Sequence, residues 1–307
     1  MDATETWEQL SRGVAAFRQR YDLVEVNGPD ARKWLDGQLS QDVAGMQVGD
    51  TRDSMLLSPE GKLVALLRVH REGDDRFTLL TDEGTGEPVV ERLRRFKIRV
   101  KADLQLRVAD FVGLRGPTAA EVLVGLPSRA GAVGHPWPGL DGVDIEVTPT
   151  ASLPDGVGEG DPGALEYARI AAGVPWMGTD IQAGAFPHET GAVSRTVDFG
   201  KGCYTGQELV ARVDSRGGSA PRYLGVVVLD DELASGESIP LGAVVTMEGE
   251  PVATVTSRAT APGSAPPIGL ALVKRRAVAG PGYLVEGVNA RVEEPPVTGL
   301  LPGAAQL

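Results

Sequence analysis

The chain of 307 residues has one cysteine, three histidines and only 5% aromatic residues, and each scarcity closes off a class of chemistry. A single cysteine excludes an intrachain disulfide framework. His70, His135 and His188 lie far apart, and no His-x-x-His or Cys-x-x-Cys pair occurs, so a dedicated metal site would need long-range assembly. One thiolate cannot by itself hold an iron-sulfur cluster, which commonly takes four ligands, so any contact with a cluster is shared or transient. No apolar run approaches the roughly 20 residues that span a bilayer. The acidic start Met1-Asp2-Ala3-Thr4-Glu5 lacks the basic and apolar regions of a signal peptide, so a cytoplasmic protein away from membranes is expected. Positive charge is also scarce. Thirty Lys and Arg against 42 Asp and Glu give a formal charge of -12, which repels phosphate and argues against direct nucleic-acid binding; an anionic ligand needs a local site.

Glycine (40) and proline (22) are plentiful and imply many turns, and the length exceeds one ordinary core, pointing to two or three domains. Trp7, Leu10, Val14, Phe17 and Tyr21 recur at helical spacing behind a Thr6/Gln9 capping box and predict a first helix. Leu23, Val24 and Val26 then read as a strand ending at Asn27-Gly28, and Pro29 opens a helix carrying Ala31, Trp34, Leu35 and Leu39. The same grammar returns 88 residues later in Val112, Leu114, Gly116, Pro117, Ala119, Val122 and Leu123, which predicts an internal repeat.

Between the copies, 54–57, 62–69 and 76–81 read as an antiparallel meander. A helix over 87–99 follows, whose Arg92, Arg94, Arg95, Lys97 and Arg99 either form a solvated face or meet a phosphate or polycarboxylate tail. The stretch 127–163 is rich in Gly and Pro; its Gly156-Val157-Gly158-Glu159-Gly160 is no dinucleotide fingerprint, being acidic where a phosphate would lie. Asp161-Pro162 starts a helix that stops at Gly173. A flexible linker is expected over 215–221, and strands at 223–229, 243–247, 252–257, 268–273 and 283–285 predict a small barrel. The expected units are 1–110, 111–215 and 222–300.

The densest chemistry lies in Lys201-Gly202-Cys203-Tyr204-Thr205-Gly206-Gln207-Glu208. Thr205 and Glu208 stand in capping-box relation, which places Cys203 just before a helix start, where the helix terminus and Lys201 would both favour thiolate. The alternative is a buried structural cysteine.

Together with Arg212, this octapeptide resembles the signature of the YgfZ folate-binding proteins, relatives of the glycine-cleavage T-protein. Asn27-Gly28-Pro29-Asp30, the run Trp34 to Val43, Arg169-Ile170 with Gly173-Val174-Pro175, and Pro187-His188-Glu189 extend the likeness over roughly residues 20 to 290. The resemblance implies an α+β protein of T-protein-like architecture, with two related α+β subdomains and a C-terminal β-barrel in a ring around a central pocket. It also implies binding of tetrahydrofolate or a derivative, and a role in assembly, maintenance or repair of iron-sulfur clusters in client enzymes, tRNA-modifying ones among them, through transient contacts as a monomer. Carried over by position, Cys203 and Lys201 are the catalytic candidates, and Tyr204, Gln207, Glu208, Arg212, Glu189 and Arg169 the cofactor-binding ones, with no metal ligands.

The chain departs from the transferases at Gly61 to Leu67, which lacks their acidic residue, and at Arg169-Ile170-Ala171-Ala172-Gly173, where alanine replaces a glutamate. Aminomethyl transfer ordinarily needs such carboxylates. A one-carbon transferase using Asp42, Glu189 or Glu208, and a non-catalytic folate sensor or scaffold, are the alternatives. Trp34 and Trp176 are expected in the core.

Overall fold

The computed structural model describes residues 1–125, 131–230, 239–260, 262–263 and 265–304. Helix α1 (Ala3–Arg12) ends four residues after its expected Gln9 cap partner, at Gly13, and strand β1 (Ala15–Asn27) takes up Phe17 and Tyr21. The sequence expectation of one helix through Tyr21 is therefore corrected. Spacings of four are shared by the helical and the two-residue strand periods, so Phe17 and Tyr21 satisfy both. The cap is also different: Asp2 and Glu5 form the capping box, while Thr6 Oγ1 accepts from the Asp161 amide at 2.8 Å.

After β1 come α2 (Ala31–Asp36), β2 (Thr51–Leu57), β3 (Leu63–Arg71), β4 (Arg76–Asp82), α3 (Gly86–Arg95), β5 (Asp103–Arg115) and α4 (Ala119–Gly125). The meander is as expected, but α3 stops four residues early. Strands β6 (Ala132–Gly134) and β7 (Gly142–Val147) emerge from the Gly/Pro-rich stretch that carried no strand expectation. The seven strands form one antiparallel sheet in the order β2-β3-β4-β1-β5-β7-β6.

Its centre is a local two-fold. β1 and β5 are equivalent in sequence at an offset of 88, Ala15 corresponding to Asp103 and Asn27 to Arg115, and they pair antiparallel along their whole length, Ala15 opposite Arg115 and Asn27 opposite Asp103. Gly28 (φ 144°) and Gly116 (φ 126°) occupy equivalent turns in which a Cβ would lie 2.4 Å from the carbonyls of Lys101 and Gly13 respectively. The amides of Asp30 and Thr118 each donate to those same carbonyls at 3.2 Å. Each glycine turn thus buttresses the chain entering the other central strand, which is why the repeat keeps Gly there.

Alternation along β1 sends Val24 and Val26 to the face covered by α2 and α3, and Tyr21 and Leu23 to the opposite face. Trp34 lies in the covered core, as expected. Helix α4 covers Val112 and Leu114 in the second half. Helix α5 (Pro162–Ala172) is capped by Asp161 and stops at left-handed Gly173. It joins α1 to the barrel in one core that includes Leu10, Tyr167, Ile170, Leu224 and Leu270.

Short helix α6 (Val193–Thr196) and helix α7 (Gln207–Asp214) follow. The segment expected to be a flexible linker is instead tied to the barrel, since Arg275 donates to the Gly218 carbonyl at 3.1 Å and its amide to Pro221 at 2.9 Å. The barrel comprises β8 (Arg222–Leu229), β9 (Val244–Met247), β10 (Glu250–Ala259), β11 (Ile268–Lys274), β12 (Gly280–Val285) and β13 (Val288–Glu293). It closes in the order β10-β11-β8-β13-β12-β9. The sixth strand, β13, had no sequence expectation. Among the described residues no helix is long and apolar enough to cross a membrane.

Candidate functional site

On the sheet face that carries Tyr21 lies a cleft that encloses about 70 Å³ and opens to solvent at its mouth. Strands β1 to β4 bring Tyr21, Asp53, Leu66, Arg68, Leu80 and Asp82 into it, and loops add His135, Trp137, Val174 and Trp176. Arg195 and Thr196 of α6 complete one side. Trp176, expected in the core, is therefore a cleft wall, and the Arg169 guanidinium stacks over its ring at 5.2 Å.

Behind the floor sits a buried ionic cluster. Asp144 accepts from Arg115 at 2.7 Å and from Arg68 at 2.9 Å, and His135 Nδ1 lies 2.7 Å from its second oxygen. Burial raises the Asp144 carboxyl, but Arg115, His135 and Arg68 outweigh it and hold the group well below the usual carboxylate range. Burial, reinforced by Arg68, lowers His135 to about 4. The imidazole is neutral at pH 7; its Nε2 accepts from the Trp137 indole at 3.1 Å, which leaves the Nδ1 proton for Asp144.

Closer to the mouth, Arg195 Nε donates to Asp53 at 3.0 Å. Asp82 differs from the other acids of the cleft: it forms no ion pair among the described residues. Burial pushes its carboxyl up to about 6, opposed by the Met177 amide that donates to it at 2.9 Å.

The octapeptide does not line this cleft. It begins five residues beyond α6 and is fastened to the turn after α2. Lys201 Nζ donates to the carbonyls of Asp36 (2.6 Å), Leu39 (3.0 Å) and Gln41 (2.8 Å), and pairs with the Asp36 carboxylate at 3.1 Å. Its side chain is 2% exposed. All three ammonium protons are committed to backbone carbonyls at and just beyond the C-terminal end of α2. Cys203 is exposed, which removes the reading of a packed cysteine, and no hydrogen bond joins it to Lys201.

The helix start is corrected too. Gly206, not Thr205, caps α7, and Thr205 bonds the Gly37 carbonyl through its amide at 3.1 Å. At Gly206 (φ 84°) a Cβ would come within 2.6 Å of the Ser58 carbonyl and 2.9 Å of Leu57. Gly206→Ala is expected to destabilise the fold by about 2 kcal/mol or more, combining left-handed strain with backbone collision, as a urea melt would measure.

The expected cofactor-binding residues scatter. Tyr204 is buried, its hydroxyl without a hydrogen-bond partner among the described residues and pushed up to about 12 by that burial. Gln207 accepts weakly from the Tyr204 amide at 3.4 Å, and Glu208 pairs with Arg212 on the exposed face of α7. Glu189 is held by Arg222 at 2.9 Å near the barrel. Arg169 is fully buried, bonded to Glu166 at 2.6 Å and Asp180 at 2.9 Å, and reaches the cleft only through Trp176. None of these six residues lines the cleft, nor do Lys201, Cys203, His188 and Asp42; Asp42 pairs with Arg52 at 3.2 Å. Of the basic run, Arg92 turns inward to the Leu57 carbonyl at 2.9 Å.

Sequence reasoning missed Asp53, Arg68, Asp82 and Asp144. The available signal was a charge that interrupts a run of apolar residues, Arg68 after Leu63 to Leu67 and Asp144 between Val143 and Ile145.

A curled antiparallel sheet docked on a closed six-stranded barrel defines the α+β fold of the aminomethyltransferases. The crystal structure of glycine cleavage system aminomethyltransferase T from Bartonella henselae matches 98% of this chain and 90% of its own with a TM-score of 0.80, at 21% identity. Residues 15–135 match the GCVT N-terminal domain family. It is similar to the mitochondrial iron-sulfur cluster assembly factor IBA57 homolog of Mycosarcoma maydis, 30% identical over 219 residues that cover 64% of this chain and 52% of that protein. It is also similar to the tRNA-modifying protein YgfZ of Shigella boydii, 28% identical over 222 residues that cover 64% of this chain and 66% of that one. The family resemblance read from the octapeptide and its companions is thereby confirmed.

Proposed function

We propose that the chain is a cytoplasmic, tetrahydrofolate-binding accessory protein that supports assembly, maintenance or repair of iron-sulfur clusters in client enzymes, tRNA-modifying ones among them. The observation that carries the reading is the cleft, whose donor set suits a folate. Trp137 and Trp176 offer flat faces, Leu66, Leu80 and Val174 offer apolar wall, and Arg195 stands where a glutamate tail would emerge. Bound there, a tetrahydrofolate would supply a one-carbon carrier. The chain's own part is to orient the ring, exclude water from its inner edge and hold the tail. The relatives' names, iron-sulfur cluster assembly factor and tRNA-modifying protein, support the client class. Cys203, exposed and outside the cleft, is the group that meets a sulfur- or iron-bearing partner.

Calorimetric titration with tetrahydrofolate and its methylene and formyl derivatives tests the ligand, and at least one is expected to bind; binding of none would remove the reading. Activity of iron-sulfur enzymes in a deletion strain tests the role of the thiol. Wild type restores it and Cys203→Ala does not; equal restoration would remove Cys203 from the mechanism. The transferase alternative gains nothing from Asp42, Glu189 or Glu208, which lie outside the cleft.

A further inference from the structure

The charges around the cleft do not balance pair by pair. Arg68 and Arg115 share Asp144, Arg195 takes Asp53, and Arg169 takes Glu166 and Asp180. Every arginine at or behind the cleft wall is therefore already paired. Asp82 is the carboxylate left over. Its only side-chain hydrogen bond among the described residues is the one Oδ2 accepts from the Met177 amide, at 2.9 Å. A carboxylate has about four acceptor sites, so most of its capacity faces the cleft unused. Such a wall favours a ligand that presents N–H donors and repels one that presents an anion or a row of carbonyls.

We propose that Asp82 is the specificity-determining residue of the cleft and selects ligands with two adjacent N–H donors on one ring edge, as in a 2-aminopyrimidin-4-one. The choice of a pterin as that ring rests on the folate reading above. This recognition also sets orientation: the amino-bearing ring enters first, against Asp82, and the anionic tail points away from it toward Arg195.

The groups facing Asp82 are Tyr21, opposite it in the β1–β4 register, Arg68 on β3, Arg169 on α5, and Asp180. Its carboxyl sits at about 6 in the protein against an ordinary 3.8. Above that value the ionised form accepts both donors. As pH falls through about 6 it takes a proton and that acceptance is lost, so affinity for an aminopyrimidinone falls with it.

Two probes separate the possibilities: pterin, and lumazine, which carries an oxo group where pterin carries the 2-amino group. Wild type is expected to bind pterin about tenfold or more tighter than lumazine at pH 7.5, and to lose that preference by pH 5. Asp82→Asn keeps an acceptor for the Met177 amide and should fold normally, as near-UV circular dichroism would show. It is expected to bind the two probes alike at both pH values. An unchanged preference in Asp82→Asn would overturn the proposal, as would a wild type that does not discriminate. Discrimination by wild type without tetrahydrofolate binding would overturn the folate reading and leave Asp82 standing.

Discussion

Asp144→Ala is expected to cost the ligand-free protein about 3–5 kcal/mol, because it strands two guanidiniums in the interior. Arg115 is wholly buried and Arg68 nearly so, and each donates to a different oxygen of Asp144. With the carboxylate gone, two like charges face each other where water cannot enter in number, and His135 loses the acceptor for its Nδ1 proton. On a chain of this size the loss corresponds to a fall in melting temperature on the order of 10 °C. Urea and thermal melts check it, with Asp144→Asn expected to fall in between. Combining Asp144→Leu with Arg115→Met should recover part of the loss, since an apolar replacement of a buried pair is often neutral. Full stability of Asp144→Ala would mean that the cluster is solvated and does not rigidify the cleft floor.

Lys201→Ala is expected to have the second largest effect, about 3 kcal/mol. Hydrogen bonds from a charged group contribute about 1.5–3 kcal/mol each, and this ammonium makes three to backbone carbonyls at and just beyond the end of α2. Cys203→Ala, at an exposed position, should stay within about 0.5 kcal/mol of wild type. The pair distinguishes architecture from chemistry. A Lys201 variant that fails in cells is expected to fail in proportion to its lost stability, whereas a Cys203 variant that fails does so fully folded. Thermal melts of both proteins, set beside their complementation, decide the point. A fully stable, inactive Lys201→Ala would return the lysine to the reaction.

Much of the sheet and the repeat was legible because its signals are local. A glycine that must take positive φ, a proline behind it and alternating apolar residues state their requirement within a dozen positions, and both copies do so. Errors arose where a pattern fits two periods, as with Phe17 and Tyr21, or where turn residues hide a short strand, as with β6 and β7. The octapeptide identified the family, but its geometry was not readable. Lys201 acts on Asp36 to Gln41, some 160 residues earlier, and nothing near Lys201 announces that. The cleft was harder still. Asp53, Arg68, Asp82 and Asp144 belong to four strands, and only the sheet order brings them to one face.

The two-fold between β1 and β5 bears on how the molecule assembles. The central ladder joins positions far apart in the chain, with Tyr21 against Ala109 at its middle, and each glycine turn leans on backbone from the other half. Neither half can complete its inner edge until the other has arrived. The loop-closure entropy of that long excursion must be met before the contacts that reward it exist. The sheet consequently forms late and as one cooperative unit, and the cleft, whose walls come from both halves, exists only once that step is finished.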